Sequence, residues 1–236
     1  MDATPTNLSE TDRRQVERLL TDARQQPTLA ARMKLISARL LGLPYLKHPL
    51  IGSPTEPEQF VARLDGFDCV TYVEIVLALS AAKDVNGFLD HLRALRYANG
   101  EVAYATRLHY TTDWHRANIQ RGWLRDLTQG TQTRECAKLL DMVPGIPPHA
   151  ATLRYFPKDT LATVAADWQD GDLIYFVSGR RALDTNHMGI LFRVDGQLHL
   201  RHASQHHGAV VEQPLTEFVR TNQMIGFILA RPLEAR

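Results

Sequence analysis

The chain has 236 residues, of which 44% are hydrophobic, and this is enough to bury a sizeable core in one domain over residues 1–236. A formal net charge of +1 excludes the broad basic surface of a nucleic-acid-binding protein, and no segment approaches the roughly 18 apolar residues of a membrane span. Two cysteines, Cys69 and Cys136, are too few for a zinc pattern or a disulfide framework, although the sequence is compatible with a single disulfide between them.

Helical patterns dominate the N-terminal third of the chain. Ser9 is the predicted N-cap of a polar helix that ends near Arg24, within an N-terminal helical extension over about residues 1–28. A second helix is predicted over residues 29–41, where apolar side chains recur at helical spacing, and a turn ends it. Several prolines then predict an irregular loop ahead of the first cysteine.

The middle of the chain mixes helical and irregular patterns. A helix is predicted over residues 84–97, and Asp113-Trp114 is predicted to cap a short helix that ends near Leu127. A further helix over residues 134–142 would carry the second cysteine as a packed thiol. The proline-rich stretch 143–160 predicts a long loop.

After about residue 165 the pattern changes to β-strands. Strands are predicted over residues 172–177, 187–194, 197–203 and 225–230, with a short one at Val210 and Val211. Asp195-Gly196 joins the second strand to the third, and Asp-Gly between apolar runs is a strong signal for a two-residue hairpin. Helices followed by an antiparallel meander indicate an α+β fold.

Cys69 stands directly behind a predicted helix N-cap. Gly66 gives a turn, Asp68 is a good N-cap, and a long apolar run follows, so Cys69 is predicted in the first helical turn. The N–H groups and the dipole at that end of a helix stabilise a thiolate, which makes such a cysteine nucleophilic near neutral pH. The same position also suits a small apolar residue that is merely buried.

The Asp195-Gly196 hairpin fixes which residues of the two strands face each other. If these two residues form the loop, counting back along both strands places His202 opposite Gly189. His187 and His202 then share one face as diagonal neighbours, with Cα atoms about 7–8 Å apart, and His199 falls on the opposite face. Three leucines fill the face of the histidine pair and predict that it points toward the core and the cysteine helix: Leu191, Leu198 and Leu200.

This geometry suits nucleophilic catalysis. A cysteine nucleophile needs a base that takes its proton and returns it to the leaving amine, and the base needs a group that holds its ring. Cys69, His187 and His202 are the candidate catalytic residues for these three roles, in that order. One isolated histidine is more often a satisfied strand residue, but two on one apolar face, with a capped cysteine upstream, favour catalysis.

The residues around Cys69, His187 and His202 resemble the NlpC-type papain-like cysteine peptidases of bacterial cell walls. The shared pattern is Asp68-Cys69 at a helix start, His187-Met188-Gly189-Ile190 on one strand, and His202 on the next. Residues 41–45 resemble the Gly-x-Pro-Tyr element of the same group. The resemblance implies a papain-like α+β core, in which N-terminal helices with the cysteine at a helix start pack on an antiparallel sheet.

The resemblance is most specific for the N-acetylmuramoyl-L-alanine amidase-like branch of that group, and it covers roughly residues 30–230. Three features carry it: the run 67–74, the pair Asp113-Trp114 with Asn118, and an aspartate ahead of the histidine, Asp184. A family-specific insertion over about residues 84–165 accounts for the long interval between Cys69 and His187.

This resemblance implies hydrolysis of an amide bond in peptidoglycan, either the lactyl–L-Ala link or a bond within the stem peptide. Cys69 would attack the carbonyl and form a thioester, and Tyr45 would help the helix start to hold the oxyanion. The resemblance implies no metal and no other cofactor. The candidate substrate-binding residues are Tyr45, Asp68, Trp114 and Asn118, although Asp68 also suits a plain N-cap and Trp114 also suits core packing.

Two charged features of the chain have roles that the sequence leaves open. Arg180 and Arg181 precede His187 and suit contacts with substrate carboxylates, but a solvated loop is the simpler interpretation. Glu74 lies inside the predicted cysteine helix and is interpreted as a structural hydrogen-bond acceptor.

Other functions stay open beside hydrolysis. The same thioester supports acyl transfer to an acceptor other than water, whereas a binding module that kept the fold would have lost its nucleophile or base. A delivered antibacterial toxin would use the same hydrolysis and have an inhibitor protein as a partner. Residues 1–6 lack the basic and apolar regions of a secretory signal, so we expect another export route or a removed signal. The expected location is the periplasm or cell envelope, with a cytoplasmic stage before delivery for a toxin.

Overall fold

A computed structural model describes residues 6–234 of the chain, which form two compact units. The first unit comprises the chain up to Leu108 and the segment His202–Val211. The second comprises His109–Arg201 and the chain from Glu212 onward. One domain over the whole chain stays a prediction, and the first five residues of the predicted N-terminal extension lie outside the described part.

Four α-helices of the first unit begin where the sequence predicts them. They are α1 (Glu10–Ala23), α2 (Leu29–Arg39), α3 (Cys69–Ala81) and α4 (Val85–Arg96). The residue before each helix has extended backbone and a side chain that accepts a hydrogen bond from the first turn: Ser9, Thr28, Asp68 and Asp84. Such capping satisfies N–H groups that have no partner within the helix, and it sets where each helix starts.

The predicted loop ahead of the cysteine is wrong in part, because it contains a small sheet. Strands β1 (Thr6–Asn7), β2 (Ile51–Ser53) and β3 (Glu56–Val61) lie in the order β1-β3-β2. Only the last two residues of β3 are buried, so the sequence shows no alternation of polar and apolar residues there. The sequence does not predict β2 and β3, because the segment contains prolines and because both strands are short and largely exposed.

Helix α3 forms the centre of the first unit. Ten of its 13 residues are buried, so the helix is covered on all sides rather than along one stripe. Its one buried carboxylate, Glu74, accepts a hydrogen bond from Arg96 of α4, with 2.7 Å between Oε2 and Nε. Arg96 also donates to the carbonyl oxygen of Val61 at the end of β3. The buried ion pair therefore joins two helices to the small sheet, and it confirms Glu74 as a structural acceptor.

An eight-stranded antiparallel sheet and three shorter helices complete the fold. The strands are β4 (Leu124–Asp126), β5 (Arg134–Leu140), β6 (His149–Pro157), β7 (Leu173–Val177), β8 (Thr185–Val194), β9 (Gln197–Ser204), β10 (Ala209–Pro214) and β11 (Gly226–Pro232). The sheet runs in the order β10-β9-β8-β7-β11-β6-β5, and β4 pairs with β11. The helices are α5 (Thr111–Gln120), α6 (Leu161–Val164) and α7 (Leu215–Thr221). The architecture confirms the predicted α+β class.

The middle of the chain corrects three predictions. Residues 134–142 are not helical, because β5 pairs with β6 and exposes alternate side chains. Residues 143–160 are not one long loop, since nine of them form β6. Helix α5 begins at Thr111, so Asp113 lies in its first turn rather than at its cap, and the helix ends at Gln120. In the first two cases pairing between β5 and β6 decided the local structure, which a short sequence window does not show.

The hairpin prediction is confirmed. Val194 pairs with Gln197, and the same register continues to the pair Ile190–Arg201. Asp195 and Gly196 have φ angles of 49° and 80°, the positive values that a two-residue type I′ turn requires at both central positions. Two of the three predicted leucines are fully buried in the core of the second unit, and the third, Leu198, packs against it.

The Glu74–Arg96 pair gives a prediction about stability. Glu74→Leu should lower the free energy of unfolding by about 3–5 kcal/mol, because it leaves the guanidinium of Arg96 buried without its carboxylate. Urea denaturation followed by circular dichroism measures the change. The control is Asp22→Ala, since Asp22 and Arg39 form an ion pair whose side chains are 44% and 64% exposed. That variant should lose less than about 1 kcal/mol, and equal losses in the two variants would contradict the prediction.

Candidate active site

Cys69 is the first residue of α3, and a capping box holds it there. The Asp68 carboxylate accepts hydrogen bonds from the N–H groups of Val70 and Thr71, at 3.1 and 2.8 Å. The Thr71 hydroxyl in turn accepts the Asp68 N–H at 3.0 Å. Cys69 is not part of a disulfide and is partly exposed. The thiol therefore lies at the positive end of a helix dipole, where a thiolate is favoured.

Tyr45 lies beside this helix start. Its neighbours Pro44 and Leu46 exchange backbone hydrogen bonds with Phe67, at 3.0 and 2.8 Å, which docks the strand-like segment 44–46 just ahead of the cysteine. The pKa of the Tyr45 phenol is raised by burial and by the negative charges of Cys69 and Asp68. At neutral pH Tyr45 is therefore protonated and able to donate a hydrogen bond.

Gly66 makes this docking possible. A Cβ atom at residue 66 would lie 2.7 Å from the Leu46 side chain and 2.9 Å from the carbonyl oxygen of Pro44. Both distances are shorter than real Cβ contacts, and one of the opposing atoms belongs to the backbone. A glycine is thus required because the segment that carries Tyr45 approaches the chain so closely.

The segment that carries Tyr45 also binds the turn after β9. The Tyr45 N–H donates to the carbonyl oxygen of Gly208 at 2.8 Å, and residues 42 and 43 exchange two further hydrogen bonds with Val210. His202 lies on β9 a few residues before that turn, and only 1% of its surface is exposed. The first unit therefore contains Cys69, Asp68, Tyr45 and His202 together.

His187 lies in the second unit, on β8, where it pairs with Phe176 of β7. Its ring stacks against Phe176 and Phe218, with ring centroids 6.1 and 5.4 Å apart. Although the residue as a whole is partly exposed, burial of the ring in this apolar environment lowers the pKa of His187 to about 4, since burial disfavours the charged form. The imidazole is neutral at pH 7 and can accept a proton. Its predicted approach to His202 and Cys69 stays a prediction.

Trp114 and Asn118 pack inside the second unit. Trp114 is 1% exposed, and its ring lies edge-on to Tyr175 with centroids 6.3 Å apart. Asn118 is fully buried and donates to the carbonyl oxygen of Trp114 at 2.9 Å. This environment favours the packing interpretation for both residues, and their contact with substrate stays a prediction.

Asp184 has a role that the sequence does not reveal. Helix α5 has no capping side chain at Tyr110, the residue before its start. Asp184 supplies the cap from a distance of 72 residues along the chain, because its carboxylate accepts the N–H and the hydroxyl of Thr112 at 2.8 and 2.9 Å. Its other oxygen accepts the Thr185 N–H at 2.7 Å. One buried carboxylate thus joins the start of α5 to the strand that carries His187.

The contact between Asp113 and His149 is also not predictable from the sequence. Asp113 accepts a hydrogen bond from the Nε2 atom of His149, at a distance of 2.9 Å. His149 belongs to β6, which the sequence predicted as loop, so no pattern indicated this pair. The contact ties α5 to the sheet and gives the Asp113-Trp114 motif a structural function.

Residues 6–234 contain neither a metal-binding cluster of side chains nor a membrane-spanning helix. No group of three or more histidine, cysteine, aspartate or glutamate side chains in this part of the chain is placed to hold a metal ion. None of its helices is both long enough and apolar enough to cross a bilayer. The adjacent histidines His206 and His207 are exposed, and Ser204 contacts the second of them at 3.0 Å.

Comparison with known proteins places the chain in a family. Residues 35–227 match the family described as AmiA-like, N-acetylmuramoyl-L-alanine amidase-like. A search of the curated proteins found no match.

Two solved structures illustrate the similarity. A protein from Legionella pneumophila has a TM-score of 0.84 and 23% identity, with 96% of each chain covered, and this likeness concerns the fold alone. An N-acetylmuramoyl-L-alanine amidase from Bacteroides uniformis has a TM-score of 0.75 and 27% identity, over 93% of this chain and 99% of that one. Because the family match spans most of its length, the chain belongs to the AmiA-like, N-acetylmuramoyl-L-alanine amidase-like family of hydrolases.

Proposed function

We propose that the protein is a cysteine amidase that hydrolyses an amide bond of bacterial peptidoglycan. The substrate bond is the lactyl–L-Ala link or a bond within the stem peptide. Membership of an amidase-like family supports the reaction class. The observation that carries the cysteine mechanism is the position of Cys69, at a capped helix start against which the backbone segment of Tyr45 docks. We assign the protein the papain-like core of the NlpC type and an action in the cell envelope.

The first half of the reaction forms a thioester. His187 takes the thiol proton as general base, and the Cys69 sulfur attacks the amide carbonyl. Asp68 already accepts the N–H groups of Val70 and Thr71, so we assign the oxyanion to the N–H of Cys69 and the hydroxyl of Tyr45. Collapse of the intermediate breaks the C–N bond, and His187 gives its proton to the departing amine.

The second half releases the acid. Water loses a proton to His187 and attacks the thioester carbonyl, and the C–S bond then breaks to restore the Cys69 thiol. His202 acts as the acceptor that holds the His187 ring in one orientation, which requires a neutral His202 imidazole. No step in this sequence uses a metal ion or another cofactor. Asp68, Trp114 and Asn118 complete the proposed substrate-binding residues.

Replacement of the nucleophile tests the mechanism directly. Cys69→Ala should abolish the cleavage of purified muropeptides and leave the fold intact, because only the sulfur atom is removed. Mass spectrometry of the digest identifies the bond that the wild-type protein breaks, and amine release without an added acceptor separates hydrolysis from acyl transfer. Cys136→Ala is the matched control and should retain activity, since Cys136 lies on β5 and burial raises the pKa of its thiol. Cleavage by Cys69→Ala would exclude the mechanism.

The role of His202 predicts a graded series of rates. His202→Asn or His202→Gln should keep part of the activity, because an amide oxygen still accepts a hydrogen bond, whereas His202→Ala should lose most of it. Initial rates on muropeptides measure the series, and thermal unfolding midpoints show whether the buried site tolerates each change. His199→Ala, on the opposite face of the same strand, is the control that should stay near the wild-type rate. Near-wild-type rates for all three His202 variants would remove His202 from the site.

The pKa of His187 predicts the acid limb of the pH profile. A base must be neutral, and burial holds the pKa of His187 at about 4, below its ordinary value of 6.5. The value of kcat/KM should therefore stay high as the pH falls through 6.5 and should decline only near pH 4. Circular dichroism at each pH shows that the protein is still folded. A decline centred at or above pH 6.5 in folded protein would contradict the assignment of His187 as the base.

A further inference from the structure

A buried lysine holds the loop between β7 and β8, residues 178–184, which precedes the strand of His187. Lys138 of β5 is only 6% exposed, and its Nζ atom donates to the carbonyl oxygens of Ser178 and Arg180 at 2.6 and 2.7 Å. Burial of an ammonium group is costly unless it is hydrogen-bonded, and here the bonds go to the backbone of this loop. Lys138 therefore fixes the path of loop 178–184.

Three further hydrogen bonds restrict the same loop. The N–H of Leu139, next to Lys138, donates to the carbonyl oxygen of Arg181 at 3.1 Å. Within the loop, the Ser178 N–H donates to the carbonyl oxygen of Asp184 at 2.9 Å, and the Arg180 N–H donates to the Ser178 hydroxyl at 3.1 Å. The backbone at both arginines is thus held to a neighbouring strand, unlike that of a solvated hairpin loop.

Arg180 and Arg181 lie on this fixed backbone as exposed residues. Neither guanidinium has an ion pair or hydrogen bond with any residue of the described chain from 6 to 234. Two other arginines of the same unit do form ion pairs: Arg154 with Glu135, and Arg231 with Asp172. Two unpaired guanidinium groups carried by a fixed backbone are available to an anion, and carboxylates are the anions that arginine binds through paired hydrogen bonds.

Loop 178–184 lies close in sequence to His187, the proposed base. Thr185 follows the loop and pairs with Val177, and His187 is two residues further along β8. At about 3.3 Å per residue, Asp184 at the end of the loop lies roughly 10 Å from His187, and Arg181 lies at most about 20 Å from it along the chain. One residue of extended peptide spans about 3.5 Å, so a carboxylate two residues from the scissile amide, together with the length of an arginine side chain, covers much of this interval.

We propose that Arg180 and Arg181 bind a carboxylate of the stem peptide and that Lys138 is the positioning residue that holds their loop. The identity of this substrate rests on the proposed function. The second residue of a stem peptide carries a free α-carboxylate in some cell walls and a neutral carboxamide in others. The protein should therefore prefer the free acid over the amide.

Binding to an inactive variant tests this preference without turnover. Cys69→Ala is titrated by calorimetry with N-acetylmuramoyl-L-alanyl-D-glutamate and with the corresponding D-isoglutamine amide. The acid should bind about tenfold more tightly than the amide, as expected for a charge-assisted paired contact. Adding Arg180→Ala and Arg181→Ala should bring the ratio of the two dissociation constants close to one, and adding Lys138→Met should reduce it in part.

Arg134→Ala is the matched control, because Arg134 is an exposed arginine of β5 without an ion pair among the described residues. It should leave the ratio unchanged. A ratio near one in the Cys69→Ala protein, or an unchanged ratio after both loop arginines are removed, would overturn the inference. If the Cys69→Ala protein prefers the acid but the wild-type protein cleaves no muropeptide, the result would support carboxylate binding by loop 178–184 and refute the proposed hydrolysis.

Discussion

The position of Cys69 in the first unit depends on the hydrogen bonds that the Asp68 carboxylate accepts at the start of α3. This carboxylate ends the extended chain and begins α3 at Cys69, by accepting two N–H groups of the first turn. A helix cap of this kind contributes only about 1 kcal/mol, but it also decides which residue is first in the helix. A shift by one residue would rotate the thiol by about 100° around the helix axis. The local cap therefore positions the proposed nucleophile.

The second unit is organised by polar side chains that act over long sequence distances. Asp184 caps α5 from β8, and Lys138 holds the loop that leads into β8. Both side chains are buried, so each has a desolvation cost that its hydrogen bonds must offset. Their contacts converge on the two ends of loop 178–184, directly before His187. Positioning of the proposed base thus depends on groups that take no part in the proposed reaction.

The sequence predicted the elements whose signals are local, and it failed where distant partners decide. Caps at Ser9 and Asp68, the long apolar run of α3 and the Asp195-Gly196 turn are each encoded within a few residues, and the structure confirms them. Strands β5 and β6 carry helix-forming residues and prolines, and they are strands because they pair with each other and extend the sheet. Of the candidate site, the surroundings of Cys69 and the register of the hairpin were predictable. The contacts of Asp184 and Lys138 were not, since a sequence does not show which distant carbonyl or N–H group a buried charge will meet.

The cap that Asp184 provides has a consequence for how α5 forms. The ten-residue helix lacks a cap of its own, and isolated helices of that length are marginal in water. The cap that Asp184 supplies makes the stability of α5 depend, by about 1 kcal/mol, on the presence of β8, although 72 residues separate the two partners. The intervening chain can vary in length at little energetic cost, because the entropy of closing a loop grows only slowly with the number of residues.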